Sequence, residues 1–173
     1  MKIFLCGLPA SGKTLFGKAL SSYLSLPHED VDDLIVSNYG CEIYSSVSKI
    51  FLGYGEEIFS RYEMNVLLSS PYEISVVSLG GGTVMQKSAY QIINSKGILI
   101  FLSTPLPVIY QRLSQRGLPE RLKTASNLEE VMHKRVAYME EISDYVFRMD
   151  DIDILSEQEL LSACESLVNK LAL

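Results

Sequence analysis

Lys2-Ile-Phe-Leu-Cys6, running into Gly7-Leu-Pro-Ala-Ser-Gly12-Lys13-Thr14, is the stretch from which the rest of the chain is read. A short apolar run breaks into a glycine-rich loop, and a helical pattern begins at Thr14 and Leu15 and continues through Leu20 and Leu24. Strand, loop and helix in that order, with the spacing G-x-x-x-x-G-K-T, predict a phosphate loop. Glycines let the backbone turn its N–H groups toward phosphate oxygens, and the new helix adds its positive end. Ala10, Ser11, Gly12, Lys13, Thr14 and Leu15 are therefore the predicted nucleotide contacts. Lys13 reaches the bridging and terminal phosphates, and the Thr14 hydroxyl holds Mg²⁺.

Further along, Leu26-Pro-His-Glu-Asp30 reads as a second strand ending in acid, followed by Val31-Asp32-Asp33 and a helical stretch from Leu34 to Tyr39. In open α/β sheets ligands bind beyond the carboxyl ends of the strands, so acids here face the phosphate loop if the strands are parallel. Asp32 or Asp33 could instead cap the helix. Ile74 to Leu79 is a third strand, and it ends in Gly80-Gly81-Gly82 rather than in the acid that many nucleotide hydrolases place there. Asp30 is the obvious substitute as the metal-side carboxylate. Bare backbone at the triplet admits a ligand to contact distance.

Between these strands, residues 40–70 carry a helical pattern interrupted at Gly53 and Gly55, longer than a plain crossover needs. It suits an acceptor-binding lobe and contains Arg61 and Glu63. A helix near 86–94, a fourth strand at Gly97–Leu102 and a helix from Pro105 to Arg112 complete the alternation of a βαβ fold. Residues 114–126 are polar, resist any regular assignment, and read as a mobile flap. Asn127 caps the next helix, a final strand lies near 145–147 or 152–155, and a helix starts at Glu157. Arg112, Arg116 and Arg121 lie in or beside the flap, with Arg135 on the helix after it, and guanidinium groups suit capture of phosphate or carboxylate.

A chain of 173 residues suits one α/β domain, and a net charge of −6 argues against a nucleic-acid surface. No apolar run reaches the length of a membrane span and the first residues are not a signal peptide, which predicts a cytoplasmic protein without membrane partners; a monomer is expected, although the residues themselves do not give the oligomeric state. Cys6, Cys41 and Cys164 read as buried free thiols, and neither His28 nor His133 has ligand partners at useful spacing.

These motifs together resemble the shikimate kinase family over nearly the whole chain. They are the phosphate loop, the D-x-D pair Asp30 and Asp32, the glycine triplet, Arg121 in the flap and Lys134-Arg135. The resemblance implies an α/β, three-layer P-loop kinase fold: a five-stranded parallel sheet with helices on both faces, an acceptor lobe over about 31–70 and a lid over about 113–126, all in one domain, 1–173. It implies ATP and Mg²⁺, with Asp30 near the metal through water, and Asp32 holding or deprotonating the 3-hydroxyl of shikimate. Gly80, Gly81 and Gly82 contact the ring substituents, Arg135 pairs with the shikimate carboxylate, and Arg116 and Arg121 serve the ATP phosphates. The catalytic set is then Lys13, Asp32 and Arg121.

Two positions depart from the family pattern. Serine stands at position 60, directly after Phe59, where the family carries an arginine; Arg61 is one helical step of about 100° away and is expected to reach the carboxylate by bending back. The lid reads Arg121-Leu-Lys-Thr124 instead of Arg-Pro-Leu-Leu. Rival readings are a phosphate-loop kinase for gluconate or a nucleoside monophosphate, and a nucleotide-binding module that has lost its acceptor and binds a protein partner.

Overall fold

A computed structural model describes residues 1–171. Five strands, β1 (Lys2–Cys6), β2 (His28–Asp30), β3 (Val76–Ser78), β4 (Gly97–Ser103) and β5 (Tyr145–Arg148), form one sheet in the order β2-β3-β1-β4-β5. Every neighbouring pair is parallel. The second of the two sites expected for the last strand is not extended: the chain turns at 151–155 instead.

Alternation along the central strands explains the layers. In β1, Phe4 and Cys6 face one apolar cluster while Ile3 and Leu5 face another; β4 divides the same way, Leu99 and Phe101 against Ile100 and Leu102. A parallel sheet apolar on both faces needs helices on both. The first face is covered by α2 (Val31–Tyr39), α3 (Val47–Ser69), α4 (Lys87–Lys96) and α7 (Leu128–Ile142), the second by α1 (Lys13–Leu24) and α8 (Glu157–Leu171). A third cluster, centred on Leu8, Ile109, Leu113, Leu122 and Met132, anchors α5 (Leu106–Arg116) and the short α6 (Glu120–Lys123) beside the phosphate loop. No helix among the described residues is long and apolar enough to cross a membrane.

Several local expectations are corrected. Residues 40–46 are not helical, and the helical insert runs Val47–Ser69 with Ser46 as its cap. Only Gly55, at φ 78°, leaves helical geometry; Gly53 stays in the helix, its Cα against the Tyr44 ring. The flap is partly regular, because α5 continues to Arg116 and Leu122 is buried as the apolar foot of α6. Cys41 is exposed, while Cys6 and Cys164 are buried thiols as expected.

At the sheet's far end, away from the strand carboxyl termini, Lys2 and Glu29 form a buried ion pair at 2.7 Å with Ser70 and Ser75 around it. This pair ties the edge strand β2 to β1 across β3, which lies between them.

Candidate active site

The loop after β1 is shaped by two residues with positive φ, Ala10 at 64° and Gly12 at 97°. A non-glycine residue in that region is held there only by its surroundings. Here Thr104 Oγ1 donates to the Ser11 carbonyl, and Arg112 Nη1 to the Ala10 carbonyl at 3.1 Å. Lys13 folds back across the loop, donating to the carbonyls of Gly7 at 3.1 Å and Leu8 at 2.8 Å. Its ammonium is buried. Burial pushes its pKa down to about 8, against the Asp32 carboxylate, which raises it.

Asp30 ends β2 and is itself the cap of α2: its Oδ1 accepts from the backbone N–H of Asp32 at 3.0 Å and of Asp33 at 3.4 Å. Helix α2 therefore starts at Val31, three residues before the sequence pattern suggested, and neither Asp32 nor Asp33 is spent on capping. The other Asp30 oxygen accepts from Thr14 Oγ1 at 2.7 Å. A hydroxyl and a carboxylate side by side at the edge of a phosphate site fit Mg²⁺, which takes one or two protein oxygens and completes its shell with phosphates and water. Asp32 is turned inward. Burial, then the charge of Asp30, pushes its carboxyl up to about 6, against the opposing pull of Lys13.

The glycine triplet joins the two halves. A Cβ on Gly80 would sit 3.1 Å from Asp32 Oδ1 and 3.2 Å from Glu63 Oε1, and one on Gly81 would sit 2.7 Å from Pro9 of the phosphate loop. One on Gly82 would lie 3.2 Å from Arg121 Nη1. Three consecutive residues thus lie beside the inward carboxylate, the loop and the lid, and at Gly81 a Cβ would collide with the Pro9 ring. Arg135 Nη1 donates to the Gly81 carbonyl at 3.4 Å.

A single cavity of about 980 Å³ is bounded by Ala10, Gly12, Lys13, Thr14 and Leu15, by Asp30 and Asp32, by all three glycines, and by Arg116, Arg121 and Arg135. Ser11 lies beneath the loop, buried. Arg61 is not brought in. Its side chain is 61% exposed and pairs with Glu57 at 2.6 Å on the outer face of α3. Phe59 is the buried residue of that turn, and two steps of about 100° carry position 61 to the opposite side of the helix, too far for its stem to bend back.

Arg121 is also placed differently from expectation. It borders the cavity but turns away from the phosphate loop, toward α3, where it pairs with Glu63 at 2.8 Å and Glu56 at 2.9 Å. The rings of Phe59 and Phe51 lie 4.9 and 5.6 Å from its guanidinium carbon. Glu63 accepts from Thr83 Oγ1 at 2.6 Å and from Gln86 Nε2, and is almost fully buried. Its importance was legible in principle: Phe59, Glu63, Val66 and Leu67 share one helical face, so an acid stands in an apolar stripe. Arg112 also borders the cavity, as do Ser45 to Ser48 and Ile154, which nothing in the local pattern singled out for it.

Comparison with known proteins points to one family. The family model described as shikimate kinase matches residues 9–166. A shikimate kinase of Chlamydia pneumoniae is 48% identical over 174 residues, covering 99% of each chain. One from Chlamydia muridarum is 35% identical, over 95% of this chain and 88% of its own. The crystal structure of shikimate kinase from Bacteroides thetaiotaomicron superposes with a TM-score of 0.78 at 25% identity, covering 100% of this chain and 99% of the other.

Proposed function

The chain belongs to the shikimate kinase family, and from that premise we propose that it transfers the γ-phosphoryl group of ATP to the 3-hydroxyl of shikimate. The products are ADP and shikimate 3-phosphate, on the route to chorismate and the aromatic amino acids. One observation carries the reading: the glycine triplet places Asp32, the phosphate loop and two guanidinium groups around a single cleft. An alcohol held by the carboxylate and a triphosphate held by the loop then lie close enough for in-line transfer.

The loop amides and the start of α1 hold the phosphates, with Arg116 at the rim. Lys13 exchanges its two carbonyl partners for phosphate oxygens, whose charge stabilises its ammonium form. Thr14 and Asp30 are the residues that would hold Mg²⁺, which supplies positive charge to the β- and γ-phosphoryl oxygens. Asp32 accepts a hydrogen bond from the attacking hydroxyl and takes its proton; a carboxyl with a value of about 6 is ionised at neutral pH yet close enough to it to be a useful base. Gly80 to Gly82 approach the ring, and Arg135 pairs with the acceptor carboxylate. The working unit is one domain, 1–173, with its acceptor lobe over about 31–70 and lid over about 113–126, acting as a cytoplasmic monomer.

An assay of ADP release with shikimate, gluconate, AMP and CMP as acceptors tests this. Release is expected with shikimate alone. Release driven by gluconate or AMP instead would assign a different kinase, and ATP binding without release for any acceptor would make the chain a nucleotide-binding module.

A further inference from the structure

The lid arginine has more carboxylate around it than a phosphate ligand needs. Glu63 is a fixed partner, locked by Thr83 and Gln86 and closed to solvent. Glu56 is different. Its side chain is 60% exposed, it follows directly on the break at Gly55, and it faces Arg121 side-on, Oε2 to Nε at 3.1 Å and Oε1 to Nη2 at 2.9 Å. That is a bidentate carboxylate grip, in which Arg121 presents two donors to one planar anion.

Where this grip lies matters. The Gly81 carbonyl accepts from Arg135, and the open side of Gly82, where a Cβ would stand, faces Arg121, so adjacent residues of one turn lie beside the two guanidinium groups. The Arg135 side chain senses both neighbours: burial and the Arg121 charge lower its pKa, and the Glu56 charge raises it. A carboxylate on Glu56 therefore stands in the field of both arginines, paired with Arg121 just outside the cleft that Arg121 and Arg135 border. Ser60 leaves room for this. Its Oγ is 3.3 Å from Arg121 Nη2, and a longer side chain at that position would occupy the seat Arg121 takes against Phe59.

We infer that Arg121 forms, with Arg135, the site for the acceptor's carboxylate, and that Glu56 occupies this site until an acidic polyol displaces it. Binding is then an exchange of one carboxylate for another. The exchange favours the acceptor because an ion pair made by a mostly exposed glutamate contributes little, whereas the incoming group gains Arg121 and Arg135 together. This account rests on the shikimate reading above and deepens it by giving the acceptor end two arginines from the lid side of the cleft, neither of them Arg61.

Steady-state kinetics with shikimate and ATP varied separately test it, using wild type, Glu56→Gln, Arg121→Lys and the double variant. Glutamine keeps the shape of Glu56 and removes its charge. The expected result is a shikimate KM about threefold lower in Glu56→Gln with the ATP KM unchanged, and a shikimate KM at least tenfold higher in Arg121→Lys. In the Arg121→Lys background the Glu56→Gln gain should be lost. A Glu56→Gln enzyme whose shikimate KM is unchanged or raised overturns the exchange, as does an Arg121→Lys enzyme that shifts the ATP KM alone. Wild-type turnover of shikimate separates the levels: without it both the acceptor assignment and the exchange fail, and with it only the exchange is at stake. Thermal melts of each variant confirm that the fold is kept.

Discussion

Replacing Asp32 with asparagine is expected to reduce kcat by about a hundredfold or more, while making the protein more stable near neutral pH. Both effects have one cause. The carboxylate is held where burial and Asp30 oppose its charge, so its value stands at about 6 instead of 3.8. The unfolded chain ionises freely above pH 4; the folded chain resists until about pH 6. Above pH 6 folding therefore carries a penalty of at most roughly 3 kcal/mol. The penalty fades as the pH falls toward 4 and is absent below. Asparagine cannot ionise, so the variant should melt several degrees higher at pH 7.5 and lose that advantage near pH 4. Wild-type kcat/KM should climb with pH through about 6, and that limb should disappear from whatever activity Asp32→Asn retains. A variant with wild-type kcat/KM would remove Asp32 from the reaction.

Lys13→Ala is expected to lower kcat by about a thousandfold, roughly 4 kcal/mol of transition-state stabilisation. The loss falls on kcat because the loose transition state spreads charge over the transferring oxygens, and Lys13 is the buried cation beside them. ADP affinity should fall much less, within about tenfold, since the loop amides and the start of α1 remain. The fold should survive, because burial already disfavours the ammonium, whose value is pushed down to about 8. Kinetics together with ADP titration by calorimetry check this. A large loss of ADP affinity with kcat kept would place Lys13 in ground-state binding instead.

Much of this site was legible because it is local. A strand, a glycine loop and a helix follow one another within the first 24 residues, and their chemistry depends on spacing alone. Asp30 and Asp32 were legible through topology: once β2 runs parallel to β3, which is itself parallel to β1, its last residue opens on the loop. The exact start of α2 was not, because Asp30 caps it with its own side chain and no apolar repeat marks that turn. Arg61 failed for want of helical phase. The lone buried phenylalanine at 59 sets the inward face, and a residue two positions later points to solvent. Arg121 illustrates the harder limit. Its partners lie 58 and 65 residues away on α3, and no repeat or spacing relates the lid to the acceptor lobe; only the folded sheet brings them together. The flap's short helix was hidden for a similar reason, since Leu122 becomes apolar anchorage only once Leu8 and Ile109 are packed beneath it.

A crystal structure of the protein with ADP, Mg²⁺ and shikimate tests the central claim, that one cleft serves both substrates. Phosphates are expected on the loop beside Lys13, the shikimate hydroxyls on Asp32, and its carboxylate on Arg135, with the 3-hydroxyl facing the β-phosphate. Shikimate bound outside the cleft formed by Asp32 and the glycine triplet, with the nucleotide in place, would contradict it.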